Sequence, residues 1–188
     1  MNRRPLPIRL YGVTLVCTLI LLVCAGESVQ ASGQGTLRIL EDGAYFPALM
    51  EAIDRAESEI VMAFFLFKTN GYDNSRPDRI AAALGRAAER GVRVRVILER
   101  GKDDKGSLVN TSNSKTARRL KTQGIDVRFD SPRTTTHTKV AVIDGRHLFL
   151  GSHNLTNSAL KYNHELSVCI DSPSLAGEVL HYINALDR

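Results

Sequence analysis

The sequence predicts an α/β fold in which helices flank both faces of a mixed β-sheet. Short segments rich in Val, Ile, Leu and Phe alternate with longer segments whose apolar residues recur at helical spacing. One pair of predicted strands is joined by Asp144-Gly145, a dipeptide typical of a tight β-hairpin. A hairpin makes its strands antiparallel, so the sheet cannot be purely parallel.

Each predicted strand is a short apolar or alternating run. Residues 60–67 (Ile-Val-Met-Ala-Phe-Phe-Leu-Phe) are continuously apolar, which is typical of a strand buried on both faces and places these phenylalanines in the core. Residues 92–98 alternate valine with arginine before the run becomes wholly apolar. The predicted strands are 36–40, 60–67, 92–98, 125–129, 139–143, 147–150 and 166–170.

The segments between and after these strands predict four helices. The second can begin at Asp78, an N-cap residue type, and can end at Gly91. Residues 100–114 are rich in Gly, Asp, Asn, Ser and Lys and predict a long surface loop. The predicted helices are 48–57, 78–90, 115–123 and 175–186.

Residues 1–31 predict a targeting segment that precedes a single domain at 32–188. Three arginines come before an apolar run at 10–23, and small residues at 29–31 or 23–25 fit a cleavage site. The alternative is an uncleaved anchor that attaches the protein to a membrane through 10–23. Either interpretation places the domain outside the cytoplasm, as an exported protein that is periplasmic, secreted or membrane-anchored.

The overall composition is that of a moderately basic globular protein. Hydrophobic residues make up 43% of the 188 residues, which excludes a largely disordered chain. The formal net charge is +5, which suits an anionic partner without identifying one.

The segment 137–154 carries the clearest chemical signal. His137 and Lys139 are two residues apart, so their side chains project from one face of an extended strand. A neutral imidazole can attack phosphorus, and a fixed positive charge can hold the anionic oxygens of a phosphodiester. Gly-Ser-x-Asn at 151–154 adds a hydroxyl and an amide. These residue types together indicate phosphoryl chemistry.

The order His137-x-Lys139-x4-Asp144, followed by Gly-Ser-x-Asn and then Glu165, resembles the signature of the phospholipase D superfamily. The nearest subgroup is its small exported bacterial endonucleases with a single motif. The resemblance implies a covalent phosphohistidine on His137, oriented by a hydrogen bond to Glu165, and it implies no metal or other cofactor. The catalytic residues that it implies are His137, Lys139, Asn154, Glu165 and Ser152.

Asp144 belongs to the same signature but lies at the hairpin turn, about 16 Å of extended strand from Lys139. We therefore expect Asp144 to be structural. The remaining histidines lack a partner pattern, and His153, beside Asn154, is predicted to be a surface or supporting residue.

The motif occurs once, although a phosphohistidine mechanism needs a second histidine as general acid. The simplest solution is a homodimer with the active site shared across a two-fold axis. Nucleic acid is the first predicted substrate, so the chain would be a metal-independent endonuclease on DNA or RNA. Phospholipid headgroup hydrolysis is the alternative, and an inactive phosphate-binding module is the third interpretation.

A cluster of basic residues is the candidate substrate-binding surface. Lys115, Arg118 and Arg119 lie on one predicted helix, and Lys102 lies in the loop before it. They can contact a phosphate backbone or form an ordinary solvated helix face, and the sequence leaves both interpretations open.

Overall fold

A computed structural model describes residues 35–101 and 107–186 of the chain. The predicted targeting segment 1–31 lies outside these residues. Within them, no helix is long and apolar enough to cross a membrane.

The described residues form seven strands, five α-helices and one short 3-10 helix at Asp42–Ala44. The strands are β1 (Leu37–Glu41), β2 (Glu59–Phe64), β3 (Arg93–Leu98), β4 (Asp126–Phe129), β5 (Lys139–Ile143), β6 (His147–Gly151) and β7 (Leu166–Asp171). The helices are α1 (Tyr45–Arg55), α2 (Arg76–Glu89), α3 (Leu108–Lys121), α4 (Asn157–Lys161) and α5 (Pro173–Leu186).

The strands form one mixed sheet in the order β1-β7-β6-β5-β2-β3-β4. Strands β2, β3 and β4 are parallel, and the pairs from β2 through β5, β6 and β7 to β1 are antiparallel. Strand β5 is central, so the residues that immediately precede it lie at the middle of one sheet edge.

Alternate residues of the central strands supply two separate apolar layers. In β2, Met62 and Phe64 pack towards α1, α2, α3 and α4, whereas Val61 and Ala63 pack towards α5. Strand β2 is therefore buried on both faces, as its continuous apolar run predicts. The predicted class, a mixed sheet with helices on both faces, is confirmed.

Helix α3 begins earlier than predicted. Residues 108–114 are helical and not part of a loop, and Ser107 caps the helix by accepting the N–H of Asn110. The polar residues that favoured a loop are buried hydrogen-bonding groups. Asn113 accepts the N–H of Phe67 at 2.9 Å and donates to the carbonyl oxygen of Phe65 at 2.9 Å. These bonds fasten α3 to the segment after β2.

Two smaller differences also concern residues near the sheet edge. Strand β2 ends at Phe64. Beyond it, Phe65 and Leu66 form backbone hydrogen bonds with loop residues, and Phe67 donates its N–H to Asn113 of α3. The short helix α4 was not predicted; it is capped by Thr156, whose hydroxyl accepts the N–H of Ala159 at 3.1 Å.

Asp144 lies at the β5–β6 turn, at the opposite end of β5 from His137. Its φ of +54° is left-handed, as is that of Gly145 at +58°. Its carboxylate accepts N–H groups from residues 57–59, including that of Ser58 at 2.8 Å. These contacts tie the hairpin to the start of β2, which is a structural arrangement.

Candidate active site

An open groove lies between the entry to β5 and helix α5. Its volume is about 460 Å³, and its lining includes His137, Lys139, Gly151, Glu178 and Tyr182. The His137 side chain is exposed, and its ring makes no hydrogen bond to any residue in the described ranges. An unengaged, accessible imidazole is what nucleophilic attack on a phosphodiester requires.

Lys139 lines the same groove and is only 7% exposed. Its Nζ donates to the carbonyl oxygen of His137 at 2.8 Å and lies 5.1 Å from the ring centroid of Phe65. Burial lowers the pKa of Lys139 from the ordinary 10.5, and the nearby carboxylate of Glu165 partly opposes that effect. The site therefore holds a partly desolvated cation, whose field on an anionic substrate is strong.

Phe65 is a site residue that the sequence pattern assigned to the core. Its ring is partly exposed and packs edge-on against His137, with centroids 4.6 Å apart. Phe64 and Phe67 are fully buried, as predicted. The difference arises because β2 ends at Phe64, so the next residue belongs to the loop at the sheet edge.

The Gly-Ser-x-Asn segment begins where β6 meets β7. Gly151 pairs with Ser167, and a Cβ atom on Gly151 would lie 2.4 Å from the Cα of Ser167. Only glycine fits this approach, which explains the first position of the motif. The close approach brings Ser152 against the start of β7.

Ser152 and Glu165 form a hydrogen-bonded pair. The Ser152 hydroxyl donates to Glu165 Oε2 at 2.5 Å and accepts the N–H of Leu166 at 3.0 Å. Glu165 Oε1 accepts from Asn163 at 3.1 Å. The expected hydrogen bond from His137 to Glu165 is not made within the described part of one protomer. The carboxylate instead orients Ser152 and faces Lys139.

Asn154 lies on the segment that runs beside the loop after β2. The next residue, Leu155, donates its N–H to Leu66 O at 3.0 Å and accepts that of Lys68 at 2.9 Å. Oδ1 of Asn154 is buried without a hydrogen-bond partner in the described residues. A buried polar atom without a partner is costly in a folded protein, so this position is an unusual place for an asparagine.

His153 is fully buried, so of its two predicted roles the surface position is wrong and the supporting role remains. Its Nε2 lies 2.9 Å from the carbonyl oxygen of Asp42, so Nε2 carries the proton, and its Nδ1 lies 2.7 Å from the Ser167 hydroxyl. The ring stacks on Tyr45 with centroids 4.4 Å apart. Burial lowers the pKa of His153, so this histidine is a neutral structural residue.

Asp42, which follows β1, contacts both His153 and the residue before β7. Its carboxylate accepts the N–H of Glu165 at 2.8 Å and lies 3.1 Å from Nδ1 of the exposed His164. The hydrogen bond from the Glu165 N–H contributes most to lowering the pKa of Asp42, and the hydrogen bond with His164 contributes next. Asp42 also adopts a left-handed φ of +47°. It therefore fixes the start of β7, from which Glu165 reaches the site.

The predicted basic surface is divided. Arg119 forms an ion pair with the buried carboxylate of Asp78, which also accepts the N–H groups of residues 70 and 71. Arg119 is therefore held by the fold, and its contact with substrate stays a prediction. Lys115 and Arg118 are exposed on α3. Lys102 lies outside the described residues.

The described residues contain no group of three or more His, Cys, Asp or Glu side chains placed to hold a metal ion. The positive charge next to His137 within these ranges is that of Lys139.

Comparison with known proteins extends these observations to a family. Residues 49–186 match the family model described as "Cardiolipin synthase, PLD-like domain". Cardiolipin synthase A of Proteus mirabilis is 31% identical over 156 residues, which are 80% of this chain and 30% of that protein. Phospholipase D of Rickettsia felis is 35% identical over 136 residues, which are 72% of this chain and 60% of that protein. The chain thus spans less than two thirds of either relative.

Solved structures share the fold. The phospholipase D family member Nuc from Salmonella typhimurium superposes with a TM-score of 0.67 at 24% identity, covering 81% of this chain and 94% of that one. NucT from Helicobacter pylori gives a TM-score of 0.58 at 19% identity, with the same coverage. On its sequence match and its fold, the chain belongs to the phospholipase D superfamily.

Proposed function

We propose that the protein is a phosphodiester hydrolase that works through a covalent phosphohistidine on His137, with nucleic acid as its substrate. The observation that carries the proposal is the exposed imidazole of His137 in one groove with the largely buried Lys139, whose ammonium is bonded to the His137 carbonyl oxygen. If His137 and Lys139 had no catalytic function, nothing would require a desolvated lysine charge next to a histidine ring without a hydrogen-bond partner.

The site residues divide the work as the chemistry requires. His137 attacks phosphorus, and the bond from phosphorus to the leaving oxygen breaks while a nitrogen–phosphorus bond forms. Lys139 and the amide of Asn154 stabilise the negative charge on the non-bridging oxygens. Ser152, held by Glu165, supplies a further hydroxyl. Water then breaks the nitrogen–phosphorus bond and releases His137.

The reaction also needs an acid that protonates the leaving oxygen and later takes a proton from water. Within the described ranges, the other histidine of the motif region, His153, is buried and engaged at both ring nitrogens. We propose that His137 of a second copy supplies the acid, in a homodimer whose two-fold axis passes through the site.

An exposed apolar surface beside the groove supports this dimer. Four residues on the α5 side of the sheet are not covered by α5, and we call them the apolar strip. They are Leu37, Ile39, Leu150 and Leu166, which are 60%, 58%, 43% and 59% exposed. Leu150 also lines the groove with His137, so the strip is continuous with the site. A contiguous apolar patch of this kind is typical of a protein interface.

Two observations bear on the substrate. The chain covers nearly the whole of Nuc and NucT but only 30% of a cardiolipin synthase. This difference in coverage supports nucleic acid as the substrate. The identity of 35% to a protein named phospholipase D supports phospholipid as a second candidate. We propose export of the domain, with 1–31 as its signal or anchor, on the sequence pattern alone.

A substrate panel tests the proposal. Residues 32–188 of the chain would be offered plasmid DNA, single-stranded DNA, RNA and phosphatidylcholine vesicles, with and without EDTA. Cleavage of nucleic acid that persists in EDTA and is lost in His137→Ala is the expected result. Turnover of lipid alone would exclude the nuclease, and loss of all turnover in EDTA would exclude the metal-independent mechanism.

A further inference from the structure

Two buried carboxyl groups lie side by side at the sheet edge, behind the entry to β5. Glu99 follows the last residue of β3 and is 3% exposed, and Asp130 follows the last residue of β4 and is 5% exposed. The preceding residues, Leu98 and Phe129, are register partners in these parallel strands. Burial of two carboxyl groups is costly unless their charge and hydrogen bonds are compensated.

A proton shared between the two groups would compensate both of them, because a hydrogen bond between two carboxyl groups needs one proton. Oδ1 of Asp130 accepts the N–H of Arg100 at 2.7 Å, whereas its Oδ2 is buried and has no hydrogen-bond partner in the described residues. Since Glu99 and Asp130 follow register partners of adjacent parallel strands, a protonated Glu99 is the neighbour that can supply the donor to this oxygen. The pKa of Glu99 is raised to about 7, chiefly by burial and next by its contact with Asp130.

Glu99 also holds the backbone next to the nucleophile. Its Oε2 accepts the N–H of Thr136 at 2.5 Å, and Thr136 immediately precedes His137. Residues 131–138 are neither helical nor extended in the sheet, so few bonds fix their course. On the other side of His137, the carbonyl oxygen of Thr138 accepts the N–H of Phe65 at 2.9 Å. The nucleophile thus lies between two backbone anchors, and one of them is Glu99.

We propose that Glu99 and Asp130 form a positioning pair that shares one proton and fixes the backbone of Thr136, and thereby the direction of the His137 imidazole. The inference rests on the proposed role of His137 as nucleophile. Neither carboxyl group contacts the reacting phosphorus. Loss of the shared proton leaves two adjacent negative charges that repel each other, which displaces Oε2 from the Thr136 amide.

The groups around the pair are mostly neutral. From α3, Asn113 donates to the carbonyl oxygen of Glu99 at 3.0 Å, and Asn110 packs against the neighbouring Gly101. The charged side chains at this end of the sheet are the cations Arg100 and Lys139 and, further along the edge, the carboxylates of Asp42 and Glu165. The guanidinium of Arg100 lies 5.6 Å from the ring centroid of Phe129, and the ammonium of Lys139 lies over Phe65.

Three variants separate positioning from simple support of the fold. Glu99→Gln keeps an oxygen for the Thr136 N–H and supplies a permanent donor to Asp130, but it cannot titrate. Glu99→Ala removes both contacts. Glu89→Gln, at the exposed end of α2, is the matched control. Each variant would be assayed with bis(4-nitrophenyl) phosphate from about pH 5 to about pH 9, and its melting temperature measured.

We expect the kcat of the wild-type protein to fall above about pH 7, and this alkaline loss to be smaller in Glu99→Gln than in Glu89→Gln, the remainder being due to the imidazole acid of the proposed mechanism. We expect Glu99→Ala to lower kcat by about 10- to 100-fold while KM changes little. An unchanged alkaline loss in Glu99→Gln would overturn the proposal, as would a full kcat in Glu99→Ala.

A readout without turnover keeps the inference separate from the proposed function. The NMR signals of the Thr136 amide and the His137 ring would be followed over the same pH range. An inflection near pH 7 in the Thr136 amide signal, absent in Glu99→Gln, supports the pair even if no phosphodiester is cleaved, and a difference in the His137 ring signal between the two proteins shows that the effect reaches the imidazole. A His137 ring signal that is identical in wild-type protein and Glu99→Gln at every pH would overturn it.

Discussion

The ammonium group of Lys139 lies 2.8 Å from the carbonyl oxygen of His137, two residues earlier in the chain. The lysine is thus anchored to the backbone that carries the nucleophile. A cation held in this way costs no reorganisation when negative charge develops on the substrate.

Replacement of Lys139 by methionine should remove activity but not stability. We expect kcat to fall by about 100- to 1000-fold, the usual cost of one such charge-stabilising group. The melting temperature should stay the same or rise, because an apolar side chain avoids desolvation of the buried ammonium. Steady-state kinetics and thermal unfolding measure the two effects, with Lys161→Met on the exposed surface of α4 as control. A retained kcat would remove Lys139 from the site.

Replacement of Asp144 by alanine should lower stability but leave activity unchanged. Desolvation opposes a low pKa here, but the hydrogen bonds from residues 57–59 outweigh it and lower the pKa of Asp144 from the ordinary 3.8. Its contribution to stability is therefore present above pH 3.8 and is lost as the pH falls through the folded-state value. At neutral pH we expect the free energy of unfolding to fall by roughly 1.5–3 kcal/mol, with kcat preserved.

Chemical denaturation at several pH values measures this loss of stability. The control is Asp126→Ala, which breaks an exposed ion pair with Arg128. It should change the free energy of unfolding by less than about 1 kcal/mol. If Asp144→Ala were as stable as this control, the carboxylate would not hold the turn.

His153→Phe tests the buried histidine. Phenylalanine keeps the stack on Tyr45 but loses the hydrogen bonds to Ser167 and to the Asp42 carbonyl, so we expect a loss of about 1–3 kcal/mol. Because the folded-state pKa lies below the ordinary 6.5, the unfolded chain binds the extra proton. Stability contributed by neutral His153 is therefore present above pH 6.5 and falls as the pH drops below it.

Urea denaturation at about pH 5 and about pH 8 measures the acid-side loss, which we expect to be smaller in His153→Phe than in the wild-type protein. His181→Phe, at an exposed position of α5, should leave it unchanged. An equal acid-side loss in both variants would mean that His153 does not cause it.

Charge on the apolar strip should dissociate the proposed dimer. Ile39 is 58% exposed on the edge strand β1, so Ile39→Glu removes apolar contact area without burying a charge in the protomer. We expect a folded monomer by sedimentation velocity, with little residual phosphodiesterase activity. Leu108→Glu, at an apolar side chain that is 83% exposed on α3, should remain dimeric and active. An active Ile39→Glu monomer would contradict the shared site.

The sequence predicts most of the sheet because its signals are local. The continuous apolar run that becomes β2 and the Asp-Gly turn between β5 and β6 each identify an element without knowledge of the rest of the chain. Helix α3 was harder to delimit. Its first half carries Asn110 and Asn113, residue types that favour loops in isolation but here satisfy buried backbone groups.

The site was predicted in part for the same reason. His137 and Lys139 are two residues apart, so the sequence alone places them close together. The expectation that one strand carries both is wrong, because β5 begins at Lys139 and His137 lies in the segment just before it. The contacts of Glu99 with Thr136 and of Asp42 with His153 join residues distant in the chain, and no spacing pattern reveals them. One signal was available for the carboxyl pair: Glu99 and Asp130 each follow directly upon a predicted strand, the position at which parallel strands bring side chains together.

Trapping the covalent intermediate tests the central claim most directly. The protein would be mixed with excess bis(4-nitrophenyl) phosphate, quenched in alkali to preserve a phosphorus–nitrogen bond, digested and analysed by mass spectrometry. We predict one adduct, a phosphoryl group that retains a single nitrophenyl ester, on the imidazole of His137, and none in His137→Ala. An adduct on another residue, or turnover by His137→Ala at the wild-type rate, would contradict the account.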